Sequence, residues 1–200
     1  MKIVGLTGGI GSGKSTVLAF FKNFGAVTYI ADEEAKKLMN SNAELRKEII
    51  KLFGEKAYAQ GTLDRAYIAS QVFNNKEKLS ALNALVHPKV RDDFQQFIKK
   101  STADLVIYEA AILFESGSDK ICDYTITVLA SFENKIERIV KRDGVSKAQI
   151  LERMENQSTD DFKIRRSNFV IRNNNLKDTE RQVLTIFELL KKFKNNQKIS

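Results

Sequence analysis

The residues best suited to chemistry form a glycine-rich segment near the amino terminus, Gly8-Gly9-Ile10-Gly11-Ser12-Gly13-Lys14-Ser15. The segment matches the pattern G-x-x-x-x-G-K-[ST] and lies between an apolar run, residues 3–6, and a helix-like stretch, residues 15–24. Glycines let successive backbone N–H groups turn towards phosphate oxygens, and the following helix N-terminus adds partial positive charge. Lys14 would reach the β- and γ-phosphates, and Ser15 would offer its hydroxyl to Mg²⁺. The pattern therefore predicts a nucleoside triphosphate site; the alternative is a glycine-rich turn that happens to carry Lys-Ser.

Two carboxylates follow other predicted strands. Asp32 comes after the short strand Val27–Ile30, and Glu109 comes after the strand Leu105–Tyr108. Because ligand sites of open parallel sheets lie beyond the carboxyl ends of the strands, we expect both carboxylates near the glycine-rich segment. Asp32 could also cap a helix that begins at Glu33. For Glu109, a contact with Mg²⁺ through water and a salt bridge within the cleft are equally open.

These residues must be positioned by alternating strands and helices. The predicted strands are residues 3–6, 27–30, 105–108, 124–129 and 169–171, and the first is apolar throughout, as expected for a parallel strand buried on both faces. Helices are predicted after the first strand, over residues 44–53, over several stripes between residues 68 and 98, and at the carboxyl end. Pro88 is expected in the first turn of a separate helix. The pattern predicts an α/β fold with a parallel sheet covered by helices on both faces.

The strongly polar segment 132–164 lies between two predicted strands. Arg138 and Arg142 are four residues apart and share a helix face. Asp143-Gly144 supplies a turn, and Ser146-x-x-Gln149 is typical of a capping box that opens a second helix. The segment is either a mobile lid whose arginines neutralise phosphate charge or a solvated arginine face. The same alternatives apply to Arg153.

The composition restricts the class of protein. The chain has 200 residues, a formal net charge of +8 and one cysteine, Cys122, so an internal disulfide is excluded. We expect Cys122 to be a small buried residue and the protein to be cytoplasmic, without a secretory signal or membrane span. The positive charge suits a substrate with several phosphates as well as nucleic acid. We interpret Lys191-Lys192-Phe193-Lys194 as a helix end and frayed tail rather than a DNA-binding arm, and expect no nucleic acid and no obligate protein partner.

The chain resembles the dephospho-coenzyme A kinase family from Lys2 to about Asn173. The resemblance is carried by residues 6–16, Ala31-Asp32, Leu63-Asp64-Arg65, Val86-His87-Pro88, Ile112-Leu113-Phe114-Glu115, residues 138–144 and residues 153–157. The order and spacing of His-Pro, Leu-Phe-Glu and Arg-Asp-Gly are more specific than the phosphate loop alone. The resemblance implies a P-loop NTPase three-layer fold with a helical substrate-binding insertion and a lid. It places the nucleotide-binding core at residues 1–31, 101–131 and 165–200, the coenzyme A domain at 32–100 and the lid at 132–164.

The resemblance also implies transfer of the ATP γ-phosphoryl group to the ribose 3′-hydroxyl of dephospho-coenzyme A, with Mg²⁺. Asp32 matches the candidate general base, and Lys14 and Arg142 would neutralise charge. The implied ATP contacts are Gly9, Gly11, Ser12, Gly13, Lys14, Ser15, Thr16, Arg138, Arg142 and Asn173. The implied acceptor contacts are Thr7, Asp32, Arg65, His87, Leu113 and Glu115. His87 could equally be a structural residue before Pro88, and Arg65 could cap a surface turn.

Two other functions fit parts of the sequence. A kinase of the same architecture could act on a nucleoside or nucleoside monophosphate. A guanine-nucleotide switch would need D-x-x-G and N-K-x-D motifs; no Asp has a Gly three residues later, and Asn134-Lys135-Ile136-Glu137 lacks the final Asp.

Overall fold

A computed structural model describes residues 1–73, 75–155 and 157–193. In chain order the elements are β1 (Lys2–Thr7), α1 (Lys14–Asn23), β2 (Val27–Ile30), α2 (Ala31–Ser41), α3 (Ala43–Phe53), β3 (Tyr58–Ala59), β4 (Thr62–Leu63), α4 (Arg65–Val72), α5 (Lys76–Lys100), β5 (Leu105–Glu109), β6 (Tyr124–Leu129), α6 (Phe132–Asp143), α7 (Lys147–Glu155), α8 (Asp160–Arg166), β7 (Phe169–Arg172) and α9 (Leu176–Lys192). Short 3₁₀ turns lie at Glu55–Ala57 and Ser118–Ile121.

The chain divides into two compact units, Met1–Ile30 with Thr102–Ser200, and Ala31–Ser101. The first unit contains a five-stranded sheet in the order β2-β5-β1-β6-β7, and every neighbouring pair is parallel. The predicted parallel α/β sheet is therefore confirmed. The register pairs Leu6 of β1 and Ile30 of β2 with Glu109 of β5, so the carboxyl ends of these three strands lie at one edge.

Alternation along the strands gives this sheet two different faces. On β6, Ile126 and Val128 point into the core formed with α1 and α9, which also contains Phe21 and Leu190. The intervening Thr127 points the other way and hydrogen-bonds to the α8 segment. Helices thus cover both faces of the sheet, because each face of a parallel strand must be removed from water.

The second unit is helical, with one short antiparallel hairpin. Asn42, Asp64 and Asn75 cap α3, α4 and α5, each accepting a hydrogen bond from a backbone N–H. The hairpin β3–β4 turns at Gln60-Gly61, where both residues have positive φ. Leu45, Ile49 and other apolar residues of α3 are buried against α2 and α5.

The prediction that Pro88 begins a new helix is wrong. Helix α5 runs without interruption from Lys76 to Lys100 and contains Pro88 in its interior. Proline removes the hydrogen bond to the carbonyl four residues earlier, and that residue, Ala84, is exposed, so water can satisfy its carbonyl. Two predicted apolar stripes therefore belong to one helix.

At the carboxyl end, α9 carries Lys191 and Lys192 in its last turn, as predicted for a basic helix end. The predicted tail from Lys194 onward lies outside the described residues. No described helix has both the length and the apolar character that crossing a membrane requires.

Candidate active site

The glycine-rich segment forms the turn between β1 and α1. Gly13 precedes the helix in a left-handed conformation, φ 85° and ψ 36°, and Gly11 has φ 77°. A Cβ on Gly13 would lie 2.0 Å from Asn173 Nδ2, and a Cβ on Gly11 would lie 2.7 Å from the Lys135 carbonyl oxygen. Both positions therefore need glycine for backbone conformation and for space.

Two side chains clamp the outside of this phosphate loop. Arg138 donates to the carbonyl oxygens of Gly11 and Ser12, and also to that of Asn173 at 2.8 Å. The fully buried amide of Asn173 donates to the Ser12 carbonyl at 2.9 Å, and its oxygen accepts from Thr179. These hydrogen bonds to the carbonyls of Gly11 and Ser12 fix the backbone conformation of the loop.

The amide of Asn173 therefore holds the loop. Its Nδ2 and Oδ1 are both engaged with protein atoms, so the structure gives this residue a supporting contact beneath the predicted phosphate site. Arg138 also supports the loop, through the carbonyls of Gly11 and Ser12. Their direct contact with ATP stays a prediction.

Lys14 and Glu109 lie close together at the edge of the sheet. Lys14 Nζ is 3.0 Å from the Gly8 carbonyl oxygen, to which it donates, and 4.0 Å from Glu109 Oε1. Glu109 is 8% exposed and ends β5. This is an ion pair of the kind that the salt-bridge alternative for Glu109 describes, and a contact with Mg²⁺ through water stays a prediction.

The residues present fit a magnesium ion held partly by substrate phosphates. Ser15 is exposed in the first turn of α1, and Glu109 supplies a carboxylate on the neighbouring strand. Mg²⁺ commonly keeps several waters and takes one or two protein oxygens besides phosphates. Within the described ranges, no group of three or more His, Cys, Asp or Glu side chains is placed to hold a metal.

The charged segment contains the two predicted helices, α6 and α7, and also the start of a third helix, α8, which was not predicted. Gly144 ends α6 with φ 65°, and Ser146 and Gln149 exchange the hydrogen bonds of a capping box. Arg142 is 63% exposed and bonds to Asp143, which raises the pKa of Arg142, and Arg153 bonds to the same carboxylate. The structure thus brings Arg138 to the phosphate loop and pairs Arg142 with Asp143.

Three of the predicted residues belong to the helical unit. Asp32 is exposed inside the first turn of α2, which begins at Ala31, so the alternative that Asp32 caps a helix beginning at Glu33 is wrong. His87 lies near enough to Asp32 for that charge to act on it. Burial lowers the pKa of His87, Arg91 acts in the same direction, and Asp32 opposes both. Arg65 is exposed at the start of α4, where Asp64 rather than Arg65 is the cap.

The remaining predicted residues follow β1 and β5. Buried Thr7 donates to the Ala111 carbonyl at 3.1 Å, and fully buried Leu113 packs against Gly5. Glu115 accepts a hydrogen bond at 2.7 Å from Lys163, whose side chain is completely buried. Burial opposes ionisation of Glu115, but hydrogen bonds from Lys163, the Glu115 backbone and Ser158 outweigh it and hold its pKa below the usual value.

Sequence reasoning missed the residues that support the site from α8, α9 and the turn before α8. Lys163 donates to both Glu115 and the Ala111 carbonyl, Thr179 positions Asn173, and Gln157 accepts from the Ile10 N–H at 2.8 Å. A lysine among other charged residues normally indicates a solvated surface, so local sequence gave no signal for Lys163. Gln157 lies within residues 153–157, which carry part of the family resemblance, but the resemblance assigned Gln157 no contact with ATP or the acceptor.

Cys122 is partly buried, whereas the sequence predicted a buried residue. Its Sγ lies 3.5 Å from the Ser118 carbonyl oxygen, and burial, with the charges of Asp119 and Asp123, raises the pKa of the thiol to about 12. The thiol is therefore protonated near neutral pH and poorly nucleophilic.

A glycine-rich loop that follows the first strand of a parallel sheet and precedes a helix is the arrangement of a P-loop nucleotide-binding fold. Shikimate kinase from Acinetobacter baumannii shares this fold, with a TM-score of 0.58 over 97% of this chain and 96% of that structure at 13% identity. A crystal structure of TT1252 from Thermus thermophilus is closer in shape and sequence, with a TM-score of 0.86 and 32% identity over 96% of this chain and 98% of that one.

The family follows from the sequence comparisons. The family model described as dephospho-CoA kinase matches residues 2–178. The curated dephospho-CoA kinase of Salinibacter ruber is 40% identical over 193 residues, which cover 94% of this chain and 96% of that protein. The chain belongs to the dephospho-CoA kinase family.

Proposed function

We propose that the protein transfers the γ-phosphoryl group of ATP to the ribose 3′-hydroxyl of dephospho-coenzyme A, giving coenzyme A and ADP, the last step of coenzyme A biosynthesis. The observation that carries the proposal is the phosphate loop held open by Arg138 and Asn173 in a chain of this family. Ser12 Oγ is buried in this loop without a hydrogen-bond partner among the described residues, which suits an external acceptor such as a phosphate oxygen.

The loop and the start of α1 would bind the triphosphate. Backbone N–H groups of the loop and the dipole of α1 would attract phosphate oxygens, and Lys14 adds a full positive charge. The N–H groups of Ile10, Ser12 and Thr16 already bond to protein oxygens. Lys14 already spans Gly8 and Glu109, so a small rotation of its side chain redirects the ammonium to phosphate. Mg²⁺ held by Ser15, with Glu109 through water, would neutralise part of the phosphate charge.

Transfer itself needs alignment and charge neutralisation more than covalent chemistry. We assign Asp32 as the base that accepts or orients the proton of the acceptor hydroxyl, because its carboxylate is exposed and two residues beyond β2. Arg142 would leave Asp143 to meet the transferring phosphoryl group, since an exposed ion pair costs little to exchange.

The acceptor would be bound by the residues that follow the other strands and by the helical unit. Arg65 offers an exposed guanidinium to the acceptor's phosphates, and His87 lies within electrostatic reach of Asp32. Thr7, Leu113 and Glu115 would shape the acceptor site mainly through the backbone, because their side chains are engaged with the protein. We further propose that residues 32–100 form the acceptor domain, that residues 132–164 act as a lid, and that the enzyme works in the cytoplasm.

A panel of acceptors tests this proposal. Purified protein, labelled ATP and Mg²⁺ are incubated separately with dephospho-coenzyme A, nucleosides and nucleoside monophosphates. Label should pass to dephospho-coenzyme A, and Lys14→Ala should abolish the transfer. Label on a nucleoside monophosphate, with none on dephospho-coenzyme A, would favour the rival kinase.

A further inference from the structure

The peptide unit between Gly9 and Ile10 is held at both of its polar ends. The Gly9 carbonyl accepts a hydrogen bond from the Ser12 N–H at 3.1 Å, within the phosphate loop. The Ile10 N–H donates to Gln157 Oε1 at 2.8 Å, across 147 residues of sequence. Gln157 therefore supplies one of the two bonds that fix the orientation of this peptide.

Gln157 belongs to a segment that is itself anchored. Three residues later, Asp160 pairs with Lys135 of α6 at 2.5 Å, and Lys163 reaches Glu115 from inside the protein. Thr159 caps α8 by accepting from the Phe162 N–H. The Gln157 side chain thus approaches Ile10 from a backbone fixed by buried or partly buried ion pairs.

The polar side chains of this segment lie directly over the loop. A Cβ on Gly9 would lie 3.4 Å from Asp160 Oδ1, 3.6 Å from Lys135 Nζ and 3.7 Å from Gln157 Oε1. Glycine at position 9 lowers the cost of rotating the adjacent peptide, because glycine tolerates backbone conformations that other residues avoid. A hydrogen bond from outside the loop therefore adds to the internal Gly9 to Ser12 bond in selecting one orientation.

We propose that Gln157 is a positioning residue for nucleotide binding: it accepts the Ile10 N–H and prevents the Gly9–Ile10 peptide from rotating. The inference rests on the proposed binding of ATP by the loop, but not on the identity of the acceptor. Rotation would break the Gly9 to Ser12 bond and turn the Gly9 carbonyl oxygen towards Gln157, so the loop would lose the conformation that we propose binds the phosphates.

The experiment compares three variants with the wild type. Gln157→Met keeps the side-chain length but lacks the acceptor, Gln157→Asn keeps the amide but is one methylene shorter, and Gln157→Glu keeps an acceptor at the same reach. Gln149→Met is the matched control, because Gln149 Oε1 also accepts a backbone N–H, that of Ser146, in the preceding helix α7. Gln149 makes its bond within the capping box, away from the loop.

Two measurements are made without any phosphoryl acceptor. Hydrogen exchange of the Ile10 amide, followed by NMR in the nucleotide-free protein, should accelerate about tenfold in Gln157→Met and Gln157→Asn and stay slow in Gln157→Glu and Gln149→Met. The Kd for ATP should rise about fivefold in Gln157→Met, the loss of one ordinary hydrogen bond, and stay unchanged in Gln149→Met.

Unchanged exchange of Ile10 in both loss variants would overturn the proposal. Equal or tighter ATP binding by Gln157→Met would also overturn it, because Gln157 would then compete with phosphate for the Ile10 amide. Neither result depends on coenzyme A formation, so a wrong acceptor assignment and a wrong role for Gln157 remain distinguishable.

Discussion

Replacement of Gly13 by alanine tests the clamp beneath the phosphate loop. The new methyl group would lie 2.0 Å from Asn173 Nδ2 and 3.2 Å from Arg138 Nη1, so the Asn173 amide must move and lose its bond to Ser12. An alanine in the left-handed conformation costs about 1–2 kcal/mol. Loss of the Asn173 hydrogen bonds in a buried position adds about 1–3 kcal/mol. We therefore expect Gly13→Ala to lower the free energy of unfolding by about 2–5 kcal/mol.

Two further variants separate the cost of the left-handed backbone conformation from the cost of the steric clash with Asn173. Gly117 is also left-handed, with φ 70° and ψ 15°, but has open space where a Cβ would stand. Gly117→Ala should therefore cost only about 1–2 kcal/mol. Asn173→Ala removes the same hydrogen bonds as the clash and should cost about 1–3 kcal/mol.

The double variant Gly13→Ala with Asn173→Ala gives the decisive comparison. Since the clash and the deletion remove the same bonds, the double variant should be about as stable as Gly13→Ala alone, with a coupling of about 1–3 kcal/mol. Urea unfolding gives the free energies, and titration calorimetry gives the Kd for ATP, which should rise in every variant except Gly117→Ala. Strict additivity of the two single changes would refute the reasoning.

Three other outcomes follow from the site. Asp32→Asn should retain the wild-type Kd for ATP, measured by calorimetry, and its steady-state turnover should fall by roughly 10²–10⁴-fold. Normal turnover would show that Asp32 takes no part in the chemistry. Arg142→Ala should reduce kcat and leave the affinity for ATP unchanged. Arg138→Ala should weaken ATP binding and lower the thermal stability, because Arg138 supports the phosphate loop. Identical effects of the two changes would contradict these different roles. Because burial lowers the pKa of His87, the unfolded chain takes up a proton first as pH falls below about 6.5, so stability should decline there. Urea unfolding at pH 7 and pH 5.5 measures this loss of stability, which should be smaller in His87→Gln than in the wild type. An equal loss of the free energy of unfolding in the two proteins would show that His87 does not cause it.

The sheet was predictable because its signals are local. β1, β2, β5, β6 and β7 are short apolar or β-branched runs between turns, and the predicted positions agree with the structure to within one or two residues. The glycine-rich segment was equally clear, since its residue types are fixed by the backbone conformation that phosphate binding needs. Pro88 misled the prediction because an exposed helix face tolerates a missing hydrogen bond that an isolated sequence pattern treats as a boundary.

The supporting residues were harder to predict because their partners are distant in sequence. Lys163 contacts Glu115 across 48 residues, and Asn173 contacts Ser12 across 161. A buried lysine and a surface lysine have the same local pattern. The resemblance named Asn173 and Glu115 as ligand contacts, and the structure adds that both are bonded to the protein.

Product analysis of the unmodified protein tests the central claim most directly. Protein, ATP, Mg²⁺ and dephospho-coenzyme A are mixed, and the product is identified by mass spectrometry and ³¹P NMR. The account predicts stoichiometric ADP and coenzyme A with the new phosphate on the ribose 3′-oxygen. Hydrolysis of ATP with dephospho-coenzyme A recovered intact, or a phosphate on another oxygen, would contradict it.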